Sequence, residues 1–205
     1  MNVYVESNFV LELALLQEQH AACEAIVQLC EAGDLRLVLP AYSFMEPFET
    51  LRRRQLDRGR VKNALEEQLG QLSRTSAYRD RIRDFEKVTL LLADSSDEDL
   101  ERLGSIRSRL LSCTDLVPLE SSILTQATIY QERHGLSVQD SVVYASVLSH
   151  LDRSAPPESC FLNRDLGFGD PEIADELKRR RCKFLPGFET GLQYIRRPLS
   201  GGAVS

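Results

Sequence analysis

The chain has 205 residues and a formal net charge of −6, with 42% hydrophobic and 27% charged residues. This composition is typical of one globular domain and argues against a disordered or fibrous chain. No apolar run approaches the roughly 20 residues that span a bilayer, and the N-terminus lacks the basic region of a signal peptide, so we expect no membrane segment.

The cysteines indicate a reducing environment. There are five of them, an odd number, and no two form a C-x-x-C pair. We therefore expect free thiols, a cytoplasmic location and no structural zinc. The residues concerned are Cys23, Cys30, Cys113, Cys160 and Cys182.

The chain opens with a short strand that ends at an acid. Residues 3–5 are apolar without polar alternation, a pattern typical of a strand buried on both faces of a parallel sheet. Glu6 follows directly, and Asn8 can cap a helix that runs to about Leu16. In open α/β sheets, ligands bind beyond the carboxyl ends of the strands, which is where Glu6 stands.

A second strand follows after a helix. The pattern predicts this helix over 20–32 and a strand over 35–39, an order that implies a parallel pair. A third helix begins after Pro40 and carries Glu46 in its first turn. Ser43 and Glu46 also fit a capping box, so Glu46 has a structural explanation beside a functional one.

The middle of the chain, about residues 57–115, predicts a helical arm. Its apolar residues recur three or four positions apart between charged residues, so we expect two or three helices packed as a hairpin. The near-heptad spacing also allows contact with a partner helix. The first row is Val61, Leu65, Leu69 and Leu72, and the second is Tyr78, Ile82, Phe85, Val88 and Leu92.

The chain then returns to the α/β pattern. An extended piece at 116–119 and a helix over 120–133 precede a helix that is apolar nearly all round. Asp140 lies in the first turn of this helix if Ser137 is its cap. The helix dipole favours a carboxylate there, so Asp140 also has a structural explanation.

The last acids follow a strand over 159–162. Asp165 comes three residues after this strand and has no clear structural role, whereas Asp170 fits the cap of a further helix. We predict one more short strand at 183–185 and a disordered tail over 199–205.

Four of these acids share a location in the expected sheet. Glu6 and Asp165 follow strands, and Glu46 and Asp140 begin helices, so all four face the carboxyl edge of a parallel sheet. Carboxylates gathered in one cleft repel each other unless a cation neutralises them. Oxygen ligands favour a hard ion, so we expect Mg²⁺ or Mn²⁺.

The segments that carry these acids resemble the motifs of the PIN-domain superfamily of metal-dependent nucleases. The resemblance rests on residues 3–9, 39–46, 136–145 and 161–168. It implies an α/β fold, a three-layer α/β/α sandwich with a mainly parallel central sheet. We expect a single domain over 1–198, with the helical arm inserted at about 57–115.

The resemblance also implies roles for individual residues. One departure is that Glu6 stands where the family usually has aspartate, which moves the carboxylate by about 1.5 Å and alters the expected ion geometry. The implied metal-binding and catalytic acids are Glu6, Glu46, Asp140 and Asp165, with Asn8 and Asn163 as polar neighbours that orient ligands or waters and Asp170 as a reserve ligand.

The leading hypothesis is a Mg²⁺- or Mn²⁺-dependent ribonuclease that hydrolyses RNA phosphodiester bonds. Clustered arginines would hold the RNA backbone, because guanidinium groups suit phosphates. The arm and the habit of the family suggest a homodimer. The arginines are Arg52, Arg53, Arg54, Arg58 and Arg60.

Two alternatives remain open at this stage. The nuclease could be a toxin of the VapC type, held inactive by a small antitoxin protein. Alternatively, the chain could be a PIN fold that binds RNA or assembles with partners without turnover, as Glu6 and the acidic net charge favour. A small-molecule phosphatase is more remote, because the first strand does not end in the expected nucleophilic aspartate motif.

Overall fold

A central sheet of five strands, all parallel, organises the fold in a computed structural model that describes residues 1–200, except for the side chains at positions 80, 83, 84, 86, 166 and 198–200. The spatial order of the strands is β3-β2-β1-β4-β5. The strands are β1 Asn2–Tyr4, β2 Arg36–Pro40, β3 Thr114–Val117, β4 Ser159–Asn163 and β5 Cys182–Pro186.

Helices connect every pair of consecutive strands, as parallel pairing requires. A 3₁₀ turn over Leu166–Gly169 follows β4. The helices are α1 Ser7–Leu15, α2 His20–Glu31, α3 Ala41–Leu72, α4 Arg79–Cys113, α5 Ser121–His134, α6 Val138–Ser154, α7 Pro171–Arg179 and α8 Phe188–Ser200.

Strand alternation divides the core between the two faces of the sheet. Val3 and Val5 point to one face, where they pack with α1, α2, α8 and the domain ends of α3 and α4. Tyr4 points to the other face, where it packs with α5, α6 and α7. The expected three-layer α/β/α sandwich is therefore confirmed, with a sheet that is entirely parallel.

The central position of β1 determines which loops meet. Tyr4 pairs with Val38 of β2 on one side and with Phe161 of β4 on the other. The carboxyl ends of β1, β2 and β4 consequently lie side by side at one edge of the sheet. The segments that follow these strands carry Glu6, Glu46 and Asp165.

The arm consists of two long antiparallel helices. α3 is one continuous helix of 32 residues that begins inside the domain, and α4 has 35 residues. At 1.5 Å per residue, each is about 50 Å long. The chain thus forms two arm helices, and α4 runs through Ser95, whose Oγ donates to the carbonyl oxygen of Leu92.

Ion pairs attach the base of the arm to the domain. The guanidinium of Arg109 on α4 contacts the carboxylates of both Glu24 and Glu31 on α2, with nitrogen–oxygen distances from 2.7 Å. Within the hairpin, Arg58 of α3 pairs with Asp99 of α4 at 2.8 Å. The Arg109 pairs thus hold the base of α4 against α2, and the Arg58–Asp99 pair joins the two arm helices.

The C-terminal part differs from the prediction. α8 was not predicted, although Phe188, Leu192 and Ile195 follow helical spacing and face the core. α8 extends to Ser200, which is two residues into the segment predicted to be disordered, and residues 201–205 lie outside the described part of the chain. Within the described residues, none of the helices combines the length and hydrophobicity needed to cross a bilayer.

Candidate metal centre

Glu6 lies at the junction between β1 and α1. Its backbone is extended, it caps α1, and its Oε2 accepts a hydrogen bond of 2.9 Å from the backbone N–H of Asn8. The prediction that Asn8 itself caps this helix is therefore wrong by two residues. The Glu6 side chain is only 7% exposed, and its Oε1 has no hydrogen-bond partner in the described structure.

The surroundings of Glu6 disfavour its charged form. Burial raises the pKa of Glu6 to about 8, and the nearby negative charges of Glu46 and Asp140 act in the same direction. The hydrogen bonds from Asn8 oppose this rise. Glu6, Glu46 and Asp140 are therefore close enough to interact electrostatically, although they are far apart in the sequence.

Glu46 is held by a residue that the sequence analysis missed. α3 begins at Ala41, so Glu46 lies in its second turn, and the predicted first-turn position and capping box are both wrong. The buried Ser43 Oγ has no hydrogen-bond partner in the described structure. Instead, the Ser7 hydroxyl donates to Glu46 Oε2 across the β1–α1 and β2–α3 junctions.

Asp140 occupies the predicted position at the start of α6. Ser137 caps this helix, since its Oγ accepts from the backbone N–H of Asp140 at 3.0 Å. The Ser137 hydroxyl also donates to Asp140 Oδ2 at 2.6 Å. Burial raises the pKa of Asp140, the Ser137 hydrogen bond opposes this, and the charge of Asp165 adds to the rise.

Asp165 follows β4 and is exposed. Its Oδ1 accepts from the backbone N–H of Gly167 at 2.8 Å, which starts the 3₁₀ turn. The side chain of Asn163 is buried, and its Oδ1 accepts from the backbone N–H of Asp165 at 2.8 Å. Asn163 thus orients the Asp165 backbone, and its expected role in orienting ligands or waters stays a prediction.

Asp170, the expected reserve ligand, has a structural role. Its Oδ1 accepts from the backbone N–H of Glu172 at 2.7 Å and so caps α7. Its side chain is exposed at the surface. The prediction that Asp170 caps a helix is therefore confirmed.

Taken together, the charges form a continuous series. Glu6 interacts with Glu46 and Asp140, and Asp140 interacts with Asp165. Tyr42 borders the same space, because burial raises its pKa and the charges of Glu46 and Asp140 add to that rise.

The donor set fits a hard divalent cation. All four acids offer oxygen, and Glu6 Oε1 is a buried carboxylate oxygen that lacks a partner. Among the described residues, no three acidic, histidine or cysteine side chains already stand at ligand distance from a common point.

The five clustered arginines lie on α3 and differ in their contacts. Arg58 is engaged by Asp99, and Arg60 pairs with Asp57 at 3.1 Å. By contrast, Arg52, Arg53 and Arg54 are exposed and form no ion pair with the side chains that the structure describes. Arg53 and Arg60 follow Glu46 by 7 and 14 residues, so they continue its face of the helix.

The raised pKa of Glu6 predicts a specific pH dependence of stability. Between about pH 4.5 and 8, the folded metal-free protein keeps a proton on Glu6 that the unfolded chain releases. The free energy of unfolding should therefore fall as the pH rises through this window. We expect Glu6→Gln to be more stable than wild type at pH 8.5 with chelator present, and about equally stable at pH 4.5.

Urea unfolding at several pH values measures this difference. Glu49→Gln is the matched control, because Glu49 is an exposed residue of the same type. A stability difference between Glu6→Gln and wild type that stays constant over the whole pH range would contradict the prediction.

Comparison with protein-family models gives a match over residues 3–168 to the PIN domain. The matched span contains all four acids and extends across the arm, beyond the two ends of the chain on which the resemblance rested. No curated protein and no solved structure gives a match. PIN domains are generally nucleases that depend on divalent metal ions. Since the match covers well over half of the chain, the protein belongs to the PIN-domain family.

Proposed function

We propose that this protein is a Mg²⁺- or Mn²⁺-dependent endoribonuclease that uses Glu6, Glu46, Asp140 and Asp165. The observation that carries the proposal is the state of Glu6. Its Oε1 is buried without a hydrogen-bond partner, in a position where two further acids act on it. A bound cation would supply the missing partner and offset the repulsion between the acids.

Each acid is oriented by a contact that leaves oxygen available. Asn8 N–H holds Glu6 Oε2, which leaves Oε1 free, and the Ser7 hydroxyl holds one oxygen of Glu46. Ser137 does the same for one oxygen of Asp140. When bound, the metal ion would acidify a water molecule for attack on the phosphodiester and stabilise the leaving oxygen.

Asn163 contributes through the backbone. It holds the N–H of Asp165, and Asp165 in turn holds that of Gly167. The exposed carboxylate of Asp165 is thereby kept at the rim of the site, next to Asp140. The four acids would thus line the site from Glu6 at its buried end to Asp165 at its open end.

RNA as the substrate is supported by the charges along α3. Arg53 and Arg60 continue the face of Glu46 at about 10 and 21 Å along the helix axis. The other exposed arginines, Arg52 and Arg54, flank this line. An RNA strand bound at the acidic site could extend along α3, where its phosphates would contact these guanidinium groups.

Loss of one acid should abolish cleavage. We expect Asp140→Asn to reduce the rate of cleavage of end-labelled RNA in Mn²⁺ by about 100-fold or more, because metal-ion catalysis supplies several kcal/mol. Asp170→Asn is the matched control, since asparagine is also a good helix cap and Asp170 caps α7. The site assignment fails if Asp140→Asn cleaves as fast as wild type.

The arginine line can be tested by RNA binding. In the Asp140→Asn background, we expect Arg53→Ala to weaken binding of single-stranded RNA and to reduce the salt dependence of binding by about one counterion. The control is Arg79→Ala, which also removes one exposed positive charge but lies at the far end of the arm. It should have little effect on RNA binding. Fluorescence anisotropy over a salt series measures both, and equal effects of the two variants would argue against the line.

A second candidate is an RNA-binding or assembly module without turnover. The observations that favour it are Glu6, where the family usually has aspartate, and the formal net charge of −6. Binding of RNA by wild type without cleavage in either Mg²⁺ or Mn²⁺ would support this module and exclude the nuclease.

The biological role is also a proposal. Activity in the cytoplasm agrees with five cysteines that are all free. A role as the toxin of a toxin–antitoxin pair would require a protein partner that blocks the site. A neighbouring reading frame for a small DNA-binding protein would support that role.

A further inference from the structure

The distal arm has little core of its own. Among the described side chains from position 56 to 95, only Ile82 and Thr89 are buried. Farther down α4, the positions that face α3 include Ser96 and Asp99, and Asp99 binds Arg58. Two helices of about 50 Å are thus joined by a seam that is partly polar, while large apolar side chains remain outside it.

These outer side chains form one continuous surface, which we call the distal patch. At 100° per residue, the apolar rows of α3 and α4 flank the seam on the same side, since the helices are antiparallel. Leu65, Leu69 and Leu92 are half-buried at its floor. The exposed members are Val61 (58%), Leu72 (45%), Phe85 (50%) and Val88 (43%).

The domain covers this same side of the hairpin nearer its base. There α1 packs against both α3 and α4, and Arg102 Nε donates to the carbonyl oxygen of Ala14 at 2.9 Å. Leu103 and Leu110 are buried in this contact region. Beyond the end of α1, no described element replaces it, and the distal patch begins.

The size of the patch matches a dimer interface. With roughly 100–200 Å² for each fully exposed apolar side chain, four that are about half exposed and three that are half-buried offer on the order of 400 to 500 Å². A standard interface buries about 800 Å² per partner, and about 65% of a homodimer interface is apolar, which is also on the order of 500 Å².

We propose that the distal patch binds the distal patch of a second copy of this chain. A twofold axis would place α3 and α4 of the second copy against α3 and α4 of the first. The four helices would form a bundle with one self-complementary interface. Each copy would then cover the other's patch as α1 covers the base.

The test is the oligomeric state of the full chain by sedimentation over a concentration series. We expect wild type to have twice the monomer mass of 23.2 kDa, and Phe85→Glu/Val88→Glu to dissociate at least about tenfold more readily, since it buries unpaired charge. The control is Leu56→Glu/Leu90→Glu, which changes leucines that are 57% and 60% exposed on other faces of the same helices. The control should remain a dimer.

Three results would overturn the proposal: a monomeric wild type, a patch variant as dimeric as the control, or binding of RNA by the patch in place of a second copy. If the patch variant fails to fold, hydrogen exchange of the wild type still decides the question. Amides over 61–72 and 85–92 should be better protected at high protein concentration than at low, while those of β1 should not change. Equal protection at both concentrations would also count against the proposal.

Discussion

The burial of a glutamate beside two further carboxylates is the constraint on which the proposed function depends. Glu6 is buried at the end of the central strand with one oxygen unpartnered, and Glu46 and Asp140 raise its pKa further. A carboxylate in such a place costs stability unless a cation or a proton neutralises it. In the metal-free protein a proton neutralises Glu6 below about pH 8, and the proposed cation would take the place of that proton.

The parallel sheet makes this concentration of charge attainable. β1 lies between β2 and β4, so the segments that follow these three strands meet at one edge. Single hydrogen bonds then orient the acids, from Asn8 to Glu6, from Ser7 to Glu46 and from Ser137 to Asp140. The arm leaves from the same edge, because α3 carries Glu46 near its start and continues out of the domain.

The sequence predicted the features that depend on local pattern. Buried strands and the Ser137 cap depend on neighbouring residues, so β1 and the place of Asp140 followed from them. Glu46 was placed in the wrong turn because β2 extends to Pro40 and α3 starts at once after it. The contact between Ser7 and Glu46 joins residues 39 positions apart, and only the pairing of β1 with β2 brings them together.

The most direct test of the account is diffraction from crystals soaked in Mn²⁺, with data collected near the manganese absorption edge. We predict an anomalous peak in contact with Glu6 Oε1 and with oxygens of at least two of Glu46, Asp140 and Asp165. A fully soaked crystal in which Glu6 remains unliganded, or in which manganese binds only elsewhere, would contradict the central claim.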